Sequence, residues 1–387
     1  MRSRLAMYLP PFAADYSGVC SALFPLGGMI CIHDASGCTG NYALFDEPRW
    51  YGSCSSVYCT GLRKTDAALG DDEKLIRKIC AAAHELKPAF IAIVGSPVPN
   101  VIGFDFRGVA RELEAELGIP AFGFPTAGME GSYQDGIAEA WHTLFARFAQ
   151  GKQSREARTL NLCGLSPLDL TETEEAYFAA RLRSAGYRVR STGLDNIRHF
   201  GSATVNLALT TAGFRVAKEA EKIFRTPYLA GFPIGEEAWK SYFEMLFATE
   251  ESGVSRVFAP EAGGEEKHQT KASWLLFHDA LIAHSLRNYL RSRGKEVHCK
   301  TVFPGQEAED LGVEVCVKEE RIAERINEEG FDGIAADPLL LALRSKKGIA
   351  ELSLPQHAVS SRVCEKERWN LLDEEAWKYR IESEEER

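Results

Sequence analysis

Short apolar segments alternate with amphipathic segments along most of this 387-residue chain. Three apolar runs, 88–94, 159–163 and 273–277, are flanked by turn-forming residues and are typical of buried strands. The segments 106–117 and 280–293 carry their apolar residues at the spacing of amphipathic helices. This repeated alternation of strand, turn and helix predicts βαβ units, in which helices connect parallel strands.

The pattern divides the chain into three such units and a tail. The first predicted domain, 1–155, ends in the polar stretch GKQSREAR (151–158); the second spans 156–260, the third 261–360, and a charged tail 361–387. A chain of this length exceeds what one hydrophobic core usually organises. We therefore predict an α/β protein with three Rossmann-like domains, whose central, mostly parallel sheets surround an interdomain cleft. Ligands of parallel sheets collect beyond the carboxyl ends of the strands, so this cleft is the expected ligand site.

Charge and hydropathy narrow the functional classes. The net charge of -10 argues against binding to nucleic acid, whose phosphates require a basic surface. No run approaches eighteen apolar residues, which argues against a membrane span. The N-terminus reaches Pro10 and Pro11 before an adequate apolar segment develops, so it does not resemble a signal peptide. A cytoplasmic location is the expectation.

The cysteines are concentrated in the first predicted domain. Five of the ten lie within one stretch of forty residues: Cys20, Cys31, Cys38, Cys54 and Cys59. Because the cytosol disfavours structural disulfides, such cysteines are buried apolar residues, reactive thiols or metal ligands. Cys31 lies inside the apolar run MICIH and is predicted to be core. Cys38 instead follows Gly37 in a turn, outside any apolar run.

Four segments of this domain occur in an informative order. They are SGVCSALFPLGGMICIHDASGCTG (17–40), YCTGLRKTDAALGDDEKL (58–75), GSPVPNVIGFDF (95–106) and FPTAGMEGSYQDGIAEAW (124–141). Together they resemble the first domain of the nitrogenase component 1 family, and a weaker resemblance continues through the rest of the chain. That family includes the molybdenum–iron protein subunits, their cofactor-assembly scaffold and the dark-operative protochlorophyllide reductase.

The resemblance implies an iron–sulfur cluster at a subunit interface, to which three family motifs each contribute a cysteine. Cys38, in HDASGC, occupies the second of these positions. Cys20 lies several residues from the first position, which Ala13 or Ala14 occupies more literally. Ser96 stands at the third position, where the family has cysteine. This chain therefore departs from a set of three cysteine ligands per subunit.

A cubane cluster needs four soft ligands, normally thiolates. Two cysteines from each of two chains, related by a twofold axis, would supply them. We predict a [4Fe–4S] cluster held by Cys38 and Cys20 of both chains. Cys59, and then Cys54, are the substitutes if Cys20 points into the core. The partner chain is a second copy, giving a homodimer, or a homologous subunit, giving a heterodimer or heterotetramer.

Catalytic subunits of the family hold a further metallocofactor with a cysteine of the second domain and a histidine of the third. His357, in ELSLPQHAVSS, resembles that histidine, whereas Cys163 comes too early and is predicted to be core. His278 follows the strand 273–277 at the end that faces the cleft, and Asp279 beside it is explained as a helix N-cap. His357 and His278 are therefore the candidate cofactor-binding residues, although a lone histidine after a strand is more often an ordinary hydrogen-bonded residue.

The chain contains no phosphate-binding loop of the form G-x-x-x-x-G-K-S/T. The resemblance therefore implies that a separate, ATP-dependent reductase resembling the iron protein supplies low-potential electrons. These would pass through the interfacial cluster to a substrate, a tetrapyrrole or a further metallocofactor in the cleft. Reduction of dinitrogen is not expected, because the second domain has no secure cofactor cysteine. The alternatives are a scaffold for metallocluster assembly and a nonredox protein that binds metal chelates or tetrapyrroles.

Overall fold

Three parallel β-sheets with flanking helices make up the protein. The structure, a computed structural model, describes residues 7–50, 55–70, 72–149, 151, 153–260, 272–345 and 348–385. Four strands form the first sheet and five form each of the other two. This architecture confirms the predicted α/β class with parallel sheets. Among the residues described, no helix has both the length and the apolar character needed to cross a membrane.

The first sheet has the strand order β2-β1-β3-β4. Its strands are β1 (Met29–Ile32), β2 (Ser56–Cys59), β3 (Ile91–Val94) and β4 (Ala121–Phe124). Its helices are α1 (Asp15–Leu23), α2 (Gly37–Asn41), α3 (Lys64–Leu69), α4 (Asp72–Leu86), α5 (Pro97–Val101), α6 (Phe106–Leu117) and α7 (Tyr133–Phe148). Ile32 is in register with both Cys59 and Val94, so β1, β2 and β3 end at the same level.

The second sheet, in the order β6-β5-β7-β8-β9, follows in sequence. It contains β5 (Thr159–Cys163), β6 (Arg188–Arg190), β7 (Val205–Ala208), β8 (Tyr228–Ala230) and β9 (Arg256–Val257). Its helices are α8 (Glu172–Ser184), α9 (Leu194–Arg198), α10 (Thr211–Phe224) and α11 (Glu236–Ser252). Helix α8 begins with the capping box that its TETE sequence predicts, in which Thr171 and Glu174 bond reciprocally.

The third sheet has the order β12-β11-β10-β13-β14. It contains β10 (Ser273–Phe277), β11 (Glu296–Thr301), β12 (Glu314–Val315), β13 (Gly333–Ala336) and β14 (Ala350–Ser353). Its helices are α12 (Ala280–Ser292), α13 (Gln306–Asp310), α14 (Glu319–Ile326), α15 (Pro338–Leu341), α16 (His357–Ser360) and α17 (Glu374–Glu385). Helix α17 belongs to the charged tail. It is nevertheless anchored, because Trp377 is fully buried and its indole N–H donates to the carbonyl of Leu371 at 2.8 Å.

Two glycines let α1 cross α7 with their backbones in contact. A Cβ atom on Gly18 would lie 1.9 Å from the carbonyl oxygen of Tyr133, and one on Gly136 would lie 1.9 Å from the carbonyl oxygen of Asp15. No larger residue fits at either position without separating the helices. This close crossing holds the start of α1 beside the loops that leave the first sheet.

Candidate functional site

The carboxyl edge of the first sheet brings together the loops that carry the predicted cluster ligands. His33 and Asp34 follow β1, Thr60 follows β2, and Ser96 follows β3 after one residue. Because these parallel strands end at one level, their loops meet at one edge. The His33 Nδ1 atom lies 2.9 Å from the Thr60 hydroxyl, which ties two of the loops together.

Asp34 organises the turn that presents Cys38. One of its carboxylate oxygens accepts a hydrogen bond from the Ala35 amide at 2.7 Å, and the other accepts from the Thr39 amide at 3.1 Å. Ser36 has a φ of 138°, an unfavourable angle for a residue with a side chain, which the surrounding bonds hold in place. Cys38 lies in α2 and is half-buried, and burial followed by the Asp34 charge raises the pKa of its thiol.

Cys59 is the second accessible thiol at this edge. It is the last residue of β2, it is exposed, and its sulfur donates to the carbonyl oxygen of Asp34 at 3.4 Å. Asp34 therefore relates the two cysteines: its carbonyl oxygen accepts from the Cys59 sulfur, and its charge raises the pKa of the Cys38 thiol. A metal cluster bound to both would be reached from solvent or from a partner chain.

Cys20 has a different environment from the one predicted for a ligand. It lies within α1 with none of its surface exposed, and burial raises the pKa of its thiol well above the ordinary value. Because Cys20 is enclosed in the core, Cys59 is the predicted substitute. Cys54, the next substitute, lies outside the described residues. Cys31 is buried in β1, as predicted for a core residue.

Ser96, at the third family position, is used inside the fold. It is fully buried, and its hydroxyl donates to the carbonyl oxygen of His33 at 2.8 Å. That bond joins the loop after β3 to the loop after β1. The hydroxyl thus orients the edge of the sheet. Among the cysteines that the structure describes in this domain, Cys38 and Cys59 are the accessible soft donors.

Apolar side chains are exposed in the connections at the same edge. We call this set the apolar rim; its members, 43% to 74% exposed, are Leu44, Phe45, Tyr58, Val98, Val101, Ile102 and Met129. They lie after α2, on β2, in and after α5, and in the loop after β4. Exposed apolar groups concentrated at one place are typical of a surface that another chain covers.

A second group of polar side chains is buried where the three units meet. The Tyr133 hydroxyl donates to Asp169 at 2.5 Å, and the Gln356 amide donates to the same carboxylate oxygen at 3.0 Å. The Gln134 amide donates to Asp279 at 2.8 Å and to the Tyr133 oxygen at 3.2 Å. Burial, then the Asp279 charge, raises the pKa of Asp169. We call these five residues the interdomain network.

The two candidate histidines border this network. His278 accepts a hydrogen bond at Nδ1 from the Asp279 amide, so its proton is on Nε2. The Nε2 atom of His357 faces the carbonyl oxygen of Phe45 at 2.9 Å and carries the proton, since a carbonyl only accepts. Within the described residues, His278 Nε2 and His357 Nδ1 have no hydrogen-bond partner and are buried. His357 thus links the interdomain network to Phe45 of the apolar rim.

No cluster of metal ligands surrounds the two histidines in the described part of the chain, where no three His, Cys, Asp or Glu side chains are grouped so that they could hold a metal ion. Cys163 is fully buried at the end of β5, as predicted for a core residue. Asp279 is saturated by other donors, because it caps α12 and also accepts from the Thr211 amide at 3.0 Å.

The pKa of His278 leads to a prediction about stability. Burial, followed by the positive charge of Arg368, lowers its pKa from 6.5 to about 3. As the pH falls below 6.5, the unfolded chain binds a proton at His278 and the folded chain does not. The contribution of neutral His278 to the free energy of unfolding, which is present above pH 6.5, is therefore lost as the pH falls. In His278→Gln, the free energy of unfolding should fall less steeply between pH 6 and 4 than in the wild type. The two slopes should differ by up to about 1.4 kcal/mol per pH unit.

Denaturant titrations at several pH values would measure this slope. His142→Gln is the matched control, because the His142 side chain is 66% exposed. Identical pH profiles for the wild type and His278→Gln would contradict the neutral, buried state of His278.

Sequence reasoning missed several residues of both sites. Asp34, Tyr133, Gln134, Asp169 and Gln356 were not singled out as functional residues. The sequence does mark Asp34 as a candidate site residue, because it is a polar residue two positions beyond the end of the buried strand β1. The others occupy helix starts and loops whose contacts are far apart in sequence, and no local pattern marks them.

Three parallel sheets with flanking helices define a multidomain α/β protein with two accessible cysteines at one edge of its first sheet. The chain belongs to the nitrogenase component 1 type oxidoreductase family, whose sequence model matches residues 15–329. A solved structure entitled "Nitrogenase Cp1 at pH 6.5" superposes with a TM-score of 0.69 at 13% identity, covering 92% of this chain and 87% of the other. Another, "Nitrogenase Cp1 at pH 5", superposes with a TM-score of 0.65 at 17% identity, covering 92% of this chain and 85% of the other. No curated protein matches the sequence.

Proposed function

We propose that this protein is a nitrogenase-like oxidoreductase subunit whose Cys38 and Cys59 hold half of an iron–sulfur cluster at a subunit interface. The observation that carries the proposal is the pairing of two accessible thiols around Asp34 with the exposed apolar rim. Four thiolates from two chains would complete a [4Fe–4S] cluster, and such a cluster transfers one electron at a time. The rim would exclude water from it once a partner chain is bound.

The two accessible cysteines among the described residues favour a second copy of this chain as the partner, because a twofold axis then doubles the set to four. A homologous subunit with more cysteines would complete the cluster equally well. Low-potential electrons would come from a separate ATP-dependent reductase resembling the iron protein. They would leave toward an unsaturated substrate, such as a tetrapyrrole, in the interdomain cleft.

Anaerobic purification tests the proposal directly. We expect about two irons and two sulfides per chain, a dimer in analytical ultracentrifugation, and the electron paramagnetic resonance signal of a reduced cubane cluster. A colourless protein without iron after anaerobic reconstitution would overturn the proposal and would favour the nonredox binding protein.

A metallocluster assembly scaffold is the second candidate. It is favoured by the lack, among the described residues, of three grouped metal-binding side chains in the cleft, because a delivered cluster has to be released. Iron in the scaffold should exchange with a chelator or a recipient protein within minutes. In an oxidoreductase the iron should be retained through repeated cycles of reduction and oxidation.

A further inference from the structure

A cavity of about 660 Å³ lies where the first two units meet the C-terminal tail, and we call it the tail cavity. Small-molecule sites in proteins commonly enclose roughly 300–1,000 Å³. Apolar side chains form part of its wall, namely Phe24, Pro25 and Pro48 of the first unit and Pro167 of the second. The tail cavity therefore has the size for an organic ligand and a wall suited to an apolar body.

Arg368 of the tail brings a positive charge to this cavity. Its Nη1 atom donates to the carbonyl oxygen of Pro167 at 3.0 Å, and its Nη2 atom donates to that of Asp169 at 2.9 Å. Among the residues that the structure describes, no carboxylate forms an ion pair with it. Burial lowers the pKa of this guanidinium. A mostly buried charge that only neutral carbonyls hold is unfavourable, and a bound anion would compensate it.

Donors remain on two guanidinium groups that line the cavity. The planar fork of Arg368 has more N–H groups than the two carbonyls use, and its Nε atom makes no hydrogen bond with a described residue. Arg49 is held in place by Glu47, which accepts from its Nε atom at 2.7 Å and from its Nη2 atom at 2.8 Å. The Nη1 atom of Arg49 has no partner in the described part of the chain. Guanidinium forks match the geometry of a carboxylate.

The other charges in the lining favour a singly charged ligand. The 13-residue helix α8 begins at the cavity with Glu172 and Thr173, whose amides lie at the positive end of the helix dipole. The side chains of Glu172 and Glu365 also line the cavity and are exposed, so water and salt partly screen their negative charges. These two side chains would repel a doubly charged phosphate more than a carboxylate, which carries a single charge.

We propose that the tail cavity binds an apolar organic molecule through a carboxylate held by Arg368 and Arg49. The inference goes beyond the proposed function, because neither Cys38 nor Cys59 lines the cavity and binding needs no iron. Arg368 also joins the cavity to the interdomain network, since one of the carbonyls it binds belongs to Asp169. A bound carboxylate would thus be linked to that network through one guanidinium.

Two probes of the same shape isolate the charge of the ligand. 2-Naphthoate has an apolar body and a carboxylate, and 2-naphthamide is its neutral counterpart. Isothermal titration calorimetry with the full chain should show 2-naphthoate binding roughly tenfold more tightly than 2-naphthamide, because the charge-assisted bonds to the arginines require the carboxylate. 2-Naphthyl phosphate should bind more weakly than 2-naphthoate.

Variants of the lining test the assignment from two directions. Arg368→Gln should weaken binding of 2-naphthoate about tenfold and leave 2-naphthamide nearly unchanged. Arg380→Gln is the matched control, because it removes a cation from the same tail that lies over Trp369 and does not line the cavity. Glu365→Gln removes a repelling charge and should tighten binding of 2-naphthoate about two- to threefold.

Equal affinities for 2-naphthoate and 2-naphthamide, or binding of neither probe, would overturn the inference. Tighter binding of 2-naphthyl phosphate would overturn the carboxylate in favour of a phosphate. If Arg368→Gln does not fold, Glu365→Gln decides, and an unchanged affinity for 2-naphthoate in that variant counts against the site. Iron analysis of the same samples keeps the two proposals apart, since discrimination between the probes in an iron-free chain would leave this inference standing and the cluster assignment wrong.

Discussion

Replacing Cys38 with alanine should reduce the iron content of the anaerobically purified protein to background while leaving its fold intact. The substitution removes one ligand from each of the two chains, so a four-thiolate site would lose half of its ligands. Because Cys38 is only half-buried, its removal leaves little cavity in the core. Iron and sulfide analysis would measure the first effect, and urea denaturation the second.

Buried cysteines of the same domain are matched controls for this experiment. Cys31→Ala and Cys20→Ala should each lower the free energy of unfolding by about 1 kcal/mol, because both side chains are enclosed by the core. Both variants should nevertheless bind the full amount of iron. The ligand assignment would be wrong if Cys38→Ala kept the iron content of the wild type. It would also be wrong if Cys31→Ala were the variant that lost its iron.

Asp279→Ala should destabilise the protein by about 3–5 kcal/mol, the largest effect on stability that we expect from one substitution. The Asp279 carboxylate accepts from the amides of Leu281 and Ile282 at the start of α12, from the Thr211 amide and from the Gln134 side chain. All of these donors are buried. The Ile282 and Thr211 amides would lose their acceptor, whereas the Leu281 amide keeps the Thr211 hydroxyl and the Gln134 amide keeps the Tyr133 oxygen. The variant should unfold at a much lower urea concentration than the wild type.

A second N-cap shows how much of this cost comes from capping alone. Asp105 caps α6 by accepting from the Gly108 amide at 2.8 Å, at an exposed position within one domain. Asp105→Ala should cost about 1 kcal/mol, the usual contribution of an N-cap. If Asp279→Ala costs no more than this, the interdomain network does not hold the three units together.

Local patterns predicted the central elements closely. The strands Thr159–Cys163 and Ser273–Phe277 and the helix Phe106–Leu117 have the bounds that their apolar spacing predicts. The edge strand Ser56–Cys59 was missed, because it pairs on one side only and its residues are partly exposed. A strand of this kind lacks the continuous apolar run that marks a strand buried on both faces.

The candidate site was only partly predictable. The turn Gly37–Cys38 predicted a ligand, and the structure places this turn after β1 at the carboxyl edge of the first sheet. Whether Cys20 or Cys59 is accessible depended on how α1 packs between the sheet and α7, which the sequence around Cys20 does not reveal. The interdomain network was beyond local reasoning, because Tyr133 meets Asp169 across 36 residues and Gln356 meets Asp169 across 187.

By itself the sequence determined the α/β class, the succession of three units and the edge at which metal-binding thiols were expected. These features follow from periodicity and turn chemistry, which act over a few residues. Tertiary structure alone decided which thiols are accessible and which polar groups are buried together. Accessibility and burial depend on chain segments that are distant in sequence, and only packing of the folded chain brings those segments into contact.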